Sequence, residues 1–165
     1  MKLYALHGFL GLPSDFSFIE AKRIAINPAP SMEAWAEAFN RSIIKEDLKE
    51  KKVLIGYSMG GRLALHAWAN RPDLWDQLIL ISTHPGLHKE EEKQKRIEKD
   101  EEWARRFEGE DWNAVLKDWN NQDTLKRYPL IRLENDYKRE ALASFLRQFS
   151  LGRQNVMEPP AIWLV

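Results

Sequence analysis

The ten residues Val-Leu-Ile-Gly-Tyr-Ser-Met-Gly-Gly-Arg at 53–62 constrain the fold more than any other stretch. Val53, Leu54 and Ile55 are a short apolar run, mostly β-branched, which predicts a strand buried on both faces. Gly56-Tyr57-Ser58-Met59-Gly60 fits the pattern G-x-S-x-G, and Arg62 to Ala69 continues with helix-forming residues. A serine at the apex of such a strand–turn–helix sits in a strained backbone, and its neighbours must be small because chain passes close by. The turn lifts the hydroxyl above the sheet and sets it at the positive end of the next helix. Ser58 is therefore the candidate catalytic residue, the bland alternative being an ordinary Gly-rich β–α turn.

The flanking sequence supplies the rest of an α/β pattern. Leu3–Leu6 predicts a first strand that runs into His7-Gly8-Phe9-Leu10-Gly11. Two glycines around a bulky pair predict a tight loop with outward N–H groups. Next to an elbow such a loop donates one hydrogen bond to a developing oxyanion, and the residue after the serine donates the other. The N–H groups of Phe9 and Met59 are the candidates; His7 is expected to brace the loop. Pro13-Ser14-Asp15 predicts a helical turn, and residues 23–27 a second short strand. Ser31 is placed to cap a helix carrying Met32, Trp35, Ala36, Phe39 and Ile43 on one face. Leu78–Ile81 predicts a further buried strand ending at Ser82-Thr83-His84-Pro85-Gly86. Strands alternating with helices imply a parallel, doubly wound sheet, whose ligands bind beyond the strands' carboxyl ends.

From Leu87 to Leu151 the pattern changes to consecutive helices. Glu91/Lys95 and Glu92/Arg96 stand at i,i+4 on a solvated helix that runs to Phe107, with Gly109 suited to the position after its end. Trp112, Val115, Leu116 and Trp119 make a second apolar stripe. Leu142, Phe145, Leu146 and Phe149 make a third, ended by Gly152. The expected organisation is a core over 1–86, a helical lid over 87–151 and a return to the core over 152–165, where Ala161–Val165 predicts one more buried strand. The chain stops on that apolar run, without the covering helix a sheet edge calls for, and so reads as truncated at its C-terminus.

Composition narrows the function classes. The 25 basic and 25 acidic residues balance, so nothing global points to nucleic acid or an anionic membrane. With no cysteine there is neither a disulfide framework nor a thiolate metal site. The four histidines are scattered and no phosphate-binding glycine motif is present, so no cofactor or metal is expected. No apolar run approaches spanning length, and a cytoplasmic protein is expected. Trp35, Trp103, Trp112 and Trp119 lie on predicted helices, either as aromatic surface covering a site or as extra core.

The elbow, the His7–Gly11 loop and the helical insertion together resemble the α/β-hydrolase superfamily. Within it the chain is similar to the 2-succinyl-6-hydroxy-2,4-cyclohexadiene-1-carboxylate synthases of menaquinone biosynthesis. The stretches that carry this are Gly56–Arg62, His84-Pro85-Gly86-Leu87, Trp103-Ala104-Arg105-Arg106-Phe107 and Asp118-Trp119. The family's Asp-x-Pro-Gly-x-Gly segment is reduced here to Asn27-Pro28-Ala29-Pro30. The resemblance implies a lyase that eliminates pyruvate from a small anionic polycarboxylate, its serine assisting proton abstraction within a Ser-Asp-His triad. It also implies that Tyr57, Arg62, Arg96 and Trp119 bind substrate, with Arg132 as a further arginine. Guanidinium forks suit this task because they pair bidentately with carboxylates.

The triad's aspartate and histidine have no counterpart here. His84 stands at the correct end of the sheet but lacks an acidic partner, and His66 lies too far along the elbow helix. An impaired enzyme is therefore expected, since loss of triad members costs about 10⁴-fold. Two other readings stay open: a carboxylesterase or C–C bond hydrolase on the same fold, and a degenerate protein that only binds.

Overall fold

The computed structural model describes residues 1–46 and 49–164. Among them, β1 (Lys2–Leu6), β2 (Lys22–Ile24), β3 (Lys52–Tyr57), β4 (Gln77–Ile81) and β5 (Ile162–Leu164) form one sheet in the order β2-β1-β3-β4-β5. Every pairing is parallel, with Leu6 opposite Gly56 and Gly56 opposite Leu80.

The hand of parallel crossovers decides which face each connection covers. The chain steps one way from β1 to β2 and the other way from β2 through β3 to β4, so the two directions of travel need opposite faces. Helices α1 (Met32–Ile44) and α2 (Met59–Asn70) accordingly pack with Tyr4, Leu6, Leu54, Leu78 and Leu80 on one face. The opposite face holds Ala5, Phe16, Val53 and Ile55, covered by the short Pro13–Phe16 turn. The winding reverses between β1 and β3, and a crevice opens between their carboxyl ends.

Sequence pattern explains most of these elements. Ser31 Oγ accepts the Ala34 N–H at 3.2 Å and caps α1, whose buried stripe is Met32, Trp35, Ala36, Phe39 and Ile43. Between β4 and β5 the chain forms α3 (Glu90–Gly109), α4 (Trp112–Asn120) and α5 (Arg139–Gln148), joined to the main core through Phe107, Val115 and Phe149. The glycine at 152 is there for close packing: a Cβ would strike the Lys93 carbonyl of α3.

Four expectations need correction. β2 stops at Ile24 rather than reaching Asn27, because its partner β1 ends at Leu6; Ile26 turns into the core instead. Gly109 is the last helical residue, followed by extended backbone at Glu110. No left-handed cap is needed, since the Arg139 guanidinium donates to the carbonyls of Phe107 and Glu110. Arg96 does not pair with Glu92 but reaches forward to Asp100. β5 is not buried: Ile162, Trp163 and Leu164 are 43, 37 and 48 % exposed, because the strand is the sheet edge among the described residues. Val165, expected to end that strand, lies outside the described residues.

Candidate active site

Ser58 stands between β3 and α2 with φ 52° and ψ −114°, a left-handed conformation that a residue with a Cβ adopts only when its surroundings impose it. Two hydrogen bonds hold it there. Its N–H donates to the Ile81 carbonyl at 2.9 Å, and its own carbonyl accepts the Arg62 N–H at 3.1 Å. The glycines of the motif are needed for close approach. A Cβ at Gly56 would come within 2.5 Å of the Gly61 Cα, and one at Gly60 would strike the carbonyls of Leu6 and His7. The turn is therefore wedged against β1 and cannot relax.

After β1, Gly11 N–H donates to the Gly8 carbonyl at 3.0 Å, closing a turn in which Leu10 takes the positive φ of 54°. Gly8 is small for another reason: the Tyr57 ring lies over it, 3.0 Å from where a Cβ would be. Buried His7 sets its Nδ1 2.9 Å from the Gly8 carbonyl, the bracing position expected of it. No residue among those described accepts the N–H of Phe9 or of Met59, and as the first residue of α2 Met59 has no intrahelical acceptor.

A cavity of about 570 Å³ opens over Ser58, walled by the loop after β1, the elbow, and α3 and α4 with the segment that follows. Of the residues expected from sequence, Phe9, Tyr57, Ser58, Arg62, Arg96, Trp119 and Arg132 line it. The Met59 side chain does not; it is buried in the core beneath. The tryptophans divide. Trp35 and Trp112 are core residues, whereas Trp103 and Trp119 face the cavity and meet edge to face at 5.0 Å, with the Phe9 ring 4.8 Å from Trp119.

The cavity also contains residues that sequence reasoning left out: Asp15, Lys99, Asp100 and Gln122 among them. A signal existed for one of these, Asp100. Arg96, Asp100, Trp103 and Phe107 recur at the spacing of one helical face, so the inner side of α3 was readable once its outer side was recognised as solvated.

Charge in the cavity is predominantly positive, with Arg62, Arg96, Lys99 and Arg132 against Asp15 and Asp100. Arg62 is only 8 % exposed, and its Nη1 donates to the Phe149 carbonyl at 2.7 Å. Burial, with the like charge of Arg96, pushes its pKa down to about 10. Arg132 is fixed by bonds from Nε to the Leu10 carbonyl at 2.8 Å and from Nη2 to Asp15 at 2.7 Å. Arg96 Nε lies 2.9 Å from both oxygens of Asp100. His84 also lines the cavity. Its Nδ1 accepts the Gly86 N–H at 3.1 Å, so in the neutral ring the proton sits on Nε2. Burial, then Arg62 and Arg96, lower its pKa, so near neutral pH His84 offers the cavity a donor rather than a base. No hydrogen bond joins Ser58 Oγ to a histidine, and no cluster of metal-ligating side chains occurs among the described residues.

A strained serine between a parallel strand and a helix, facing a cavity beyond the strands' carboxyl ends, defines a class. Residues 15–122 match the family model of the alpha/beta hydrolase fold, and the chain belongs to that family. Within it, the chain is 36 % identical over 173 aligned positions to the 2-succinyl-6-hydroxy-2,4-cyclohexadiene-1-carboxylate synthase of Pectobacterium atrosepticum, covering 92 % of this chain and 68 % of that relative. This puts it in the sequence family of those synthases. The synthase of Photorhabdus laumondii is 32 % identical over 129 residues, 71 % of this chain and 46 % of the relative. The structure of MenH from S. aureus is similar in fold, with a TM-score of 0.77 at 20 % identity, covering 94 % of this chain and 68 % of that one. The chain spans about half the length of several curated relatives it matches. No helix among the described residues is long and apolar enough to cross a membrane.

Proposed function

We propose that this chain carries the elbow, the oxyanion donors and the anion-binding wall of a lyase that eliminates pyruvate from a polycarboxylate cyclohexene, giving 2-succinyl-6-hydroxy-2,4-cyclohexadiene-1-carboxylate. One observation carries the reading: the strained Ser58 faces a cavity in which Arg62, Arg96 and Arg132 converge. A neutral ester needs no such charge, whereas a substrate with several carboxylates gains a charge-assisted pair from each guanidinium. The relatives at 32 and 36 % identity bear the name of that activity.

In this reading the arginines orient the substrate so that the proton to be removed lies over Ser58. The free N–H groups of Phe9 and Met59 form the oxyanion hole, stabilising charge that develops on the adjoining carbonyl oxygen; each such donor is worth about 3 kcal/mol. Tyr57 and Trp119 hold the ring, and the helices over 87–151 act as the lid that excludes water. The positive end of α2 favours the serine as alkoxide. With no histidine among the described residues bonded to Ser58 Oγ, these residues bind the substrate better than they turn it over.

The test follows product absorbance on mixing the chain with the polycarboxylate, beside the longer Pectobacterium relative as a positive control. Binding without efficient turnover, lost in Arg62→Met, is the expected result. Faster turnover of a neutral p-nitrophenyl ester than of the polycarboxylate sinks the lyase reading in favour of an esterase.

A further inference from the structure

Asp100 is a carboxylate in the cavity wall that the proposed chemistry does not use. It lies on the inner face of α3, 3 % exposed, in a site otherwise built for anions. Both its oxygens are 2.9 Å from Arg96 Nε, and no other protein donor reaches them among the described residues. Arg96 is thus gripped from the side, near its stem. Its two Nη groups have no protein partner among the described residues, although the side chain is only 38 % exposed.

A guanidinium presents two edges to carboxylates, a side edge through Nε and an end edge through the paired Nη atoms. Occupying the first with a buried carboxylate leaves the second aimed into the cavity with its rotamer fixed. We propose that Asp100 is a positioning residue, locking Arg96 through Nε so that both Nη groups meet one substrate carboxylate end-on. The inference rests on the polycarboxylate reading above. Asp100 has a second effect in the same place. Arg62 and Arg96 repel one another across the cavity, and the Asp100 charge offsets that repulsion at Arg62. Two guanidiniums can then share one cavity before substrate arrives.

The proposal separates from bulk electrostatics by sign. Removing a negative charge from an anion site strengthens anion binding if charge alone matters, and weakens it if orientation matters. Titration calorimetry with propane-1,2,3-tricarboxylate as probe compares the unaltered chain with Asp100→Asn, Asp100→Ser, Arg96→Met and Asp100→Asn/Arg96→Met. Asp100→Asn and Asp100→Ser are each expected to weaken binding about tenfold, the loss of one well-aligned charged hydrogen bond. The double variant is expected to bind no more weakly than Arg96→Met alone. Equal or tighter binding by the Asp100 variants overturns the proposal.

A second measurement needs no ligand and no altered Asp100. The Nε–H resonance of Arg96, assigned by its loss in Arg96→Met, is expected to exchange far more slowly with solvent than that of exposed Arg127. Exchange at the Arg127 rate overturns the lock by itself. Tricarboxylate binding that ignores Arg62→Met and Arg96→Met alike, with Arg96 Nε–H still protected, instead removes the polycarboxylate reading and leaves the lock standing.

Discussion

Arg62→Met separates a charge kept for function from a charge kept for stability. The residue is buried on the first turns of α2, where the chain must desolvate a guanidinium and hold it beside Arg96. Its pKa is pushed from 12.5 to about 10, which corresponds to about 3 kcal/mol of unfavourable interaction for the charged form. Against this stands the hydrogen bond from Nη1 to the Phe149 carbonyl, worth about 1.5–3 kcal/mol for a charged donor. Methionine fills a similar volume and adapts to irregular space, beside Met32, whose sulfur is 3.5 Å from the Arg62 Nη1. The two effects nearly cancel. Stability is expected to change by no more than about 1 kcal/mol, read as the urea midpoint with an unchanged slope. Polycarboxylate affinity is expected to fall by about 100-fold, the loss of a bidentate charge-assisted pair. Loss of about 3 kcal/mol of stability with tricarboxylate affinity intact would refute the reasoning and make Arg62 a structural strut for the chain around Phe149.

Gly60→Ala is expected to cost about 1–3 kcal/mol, because the new methyl meets the backbone carbonyls of Leu6 and His7; an unchanged melting temperature contradicts the wedged elbow. Phe107→Ala removes a fully buried ring that packs with Phe9, Trp103, Trp112 and Trp119, and chemical denaturation should show a loss of about 3–5 kcal/mol. Acid should weaken the fold first through histidine. Burial holds His7 and His66 below the ordinary value of 6.5, so the unfolded chain binds the extra protons, and their stabilisation is whole above that value and drains as pH falls through it. Glu46 acts in a lower window: burial opposes its charge, but bonds from Lys2, Lys22 and Tyr4 pull its pKa down to about 2, so its contribution fades only below about 4.5. Urea midpoints should therefore drop between pH 7.5 and 5, less steeply in His7→Gln, and a midpoint that rises on acidification contradicts the assignment.

How much was legible in the sequence follows from the range of the interactions involved. The elbow could be read directly, because Gly56, Ser58 and Gly60 fall within five residues, although Gly60 is small for the sake of the Leu6 and His7 carbonyls. The apolar stripe of α1 and its Ser31 cap are local in the same way, as is the run of β-strand residues in β3. The resemblance drew attention to Arg62, Arg96, Trp119 and Arg132. Spacing alone could not have joined them, since Arg62 and Arg132 are 70 positions apart and reach one cavity only through the fold.

What the sequence determined by itself, then, is the alternation of strand and helix and the position of the elbow serine, since each leaves its pattern in neighbours along the chain; the strain at Ser58 is imposed by Ile81 and β1. The tertiary structure alone decided that Arg96 is gripped by Asp100 rather than Glu92, that His84 presents a donor and not a base, and that β5 is an exposed edge. The physical reason is common to all three. Which of several local partners a charged or apolar group takes depends on which side of its element is desolvated, and that is fixed only when the elements pack.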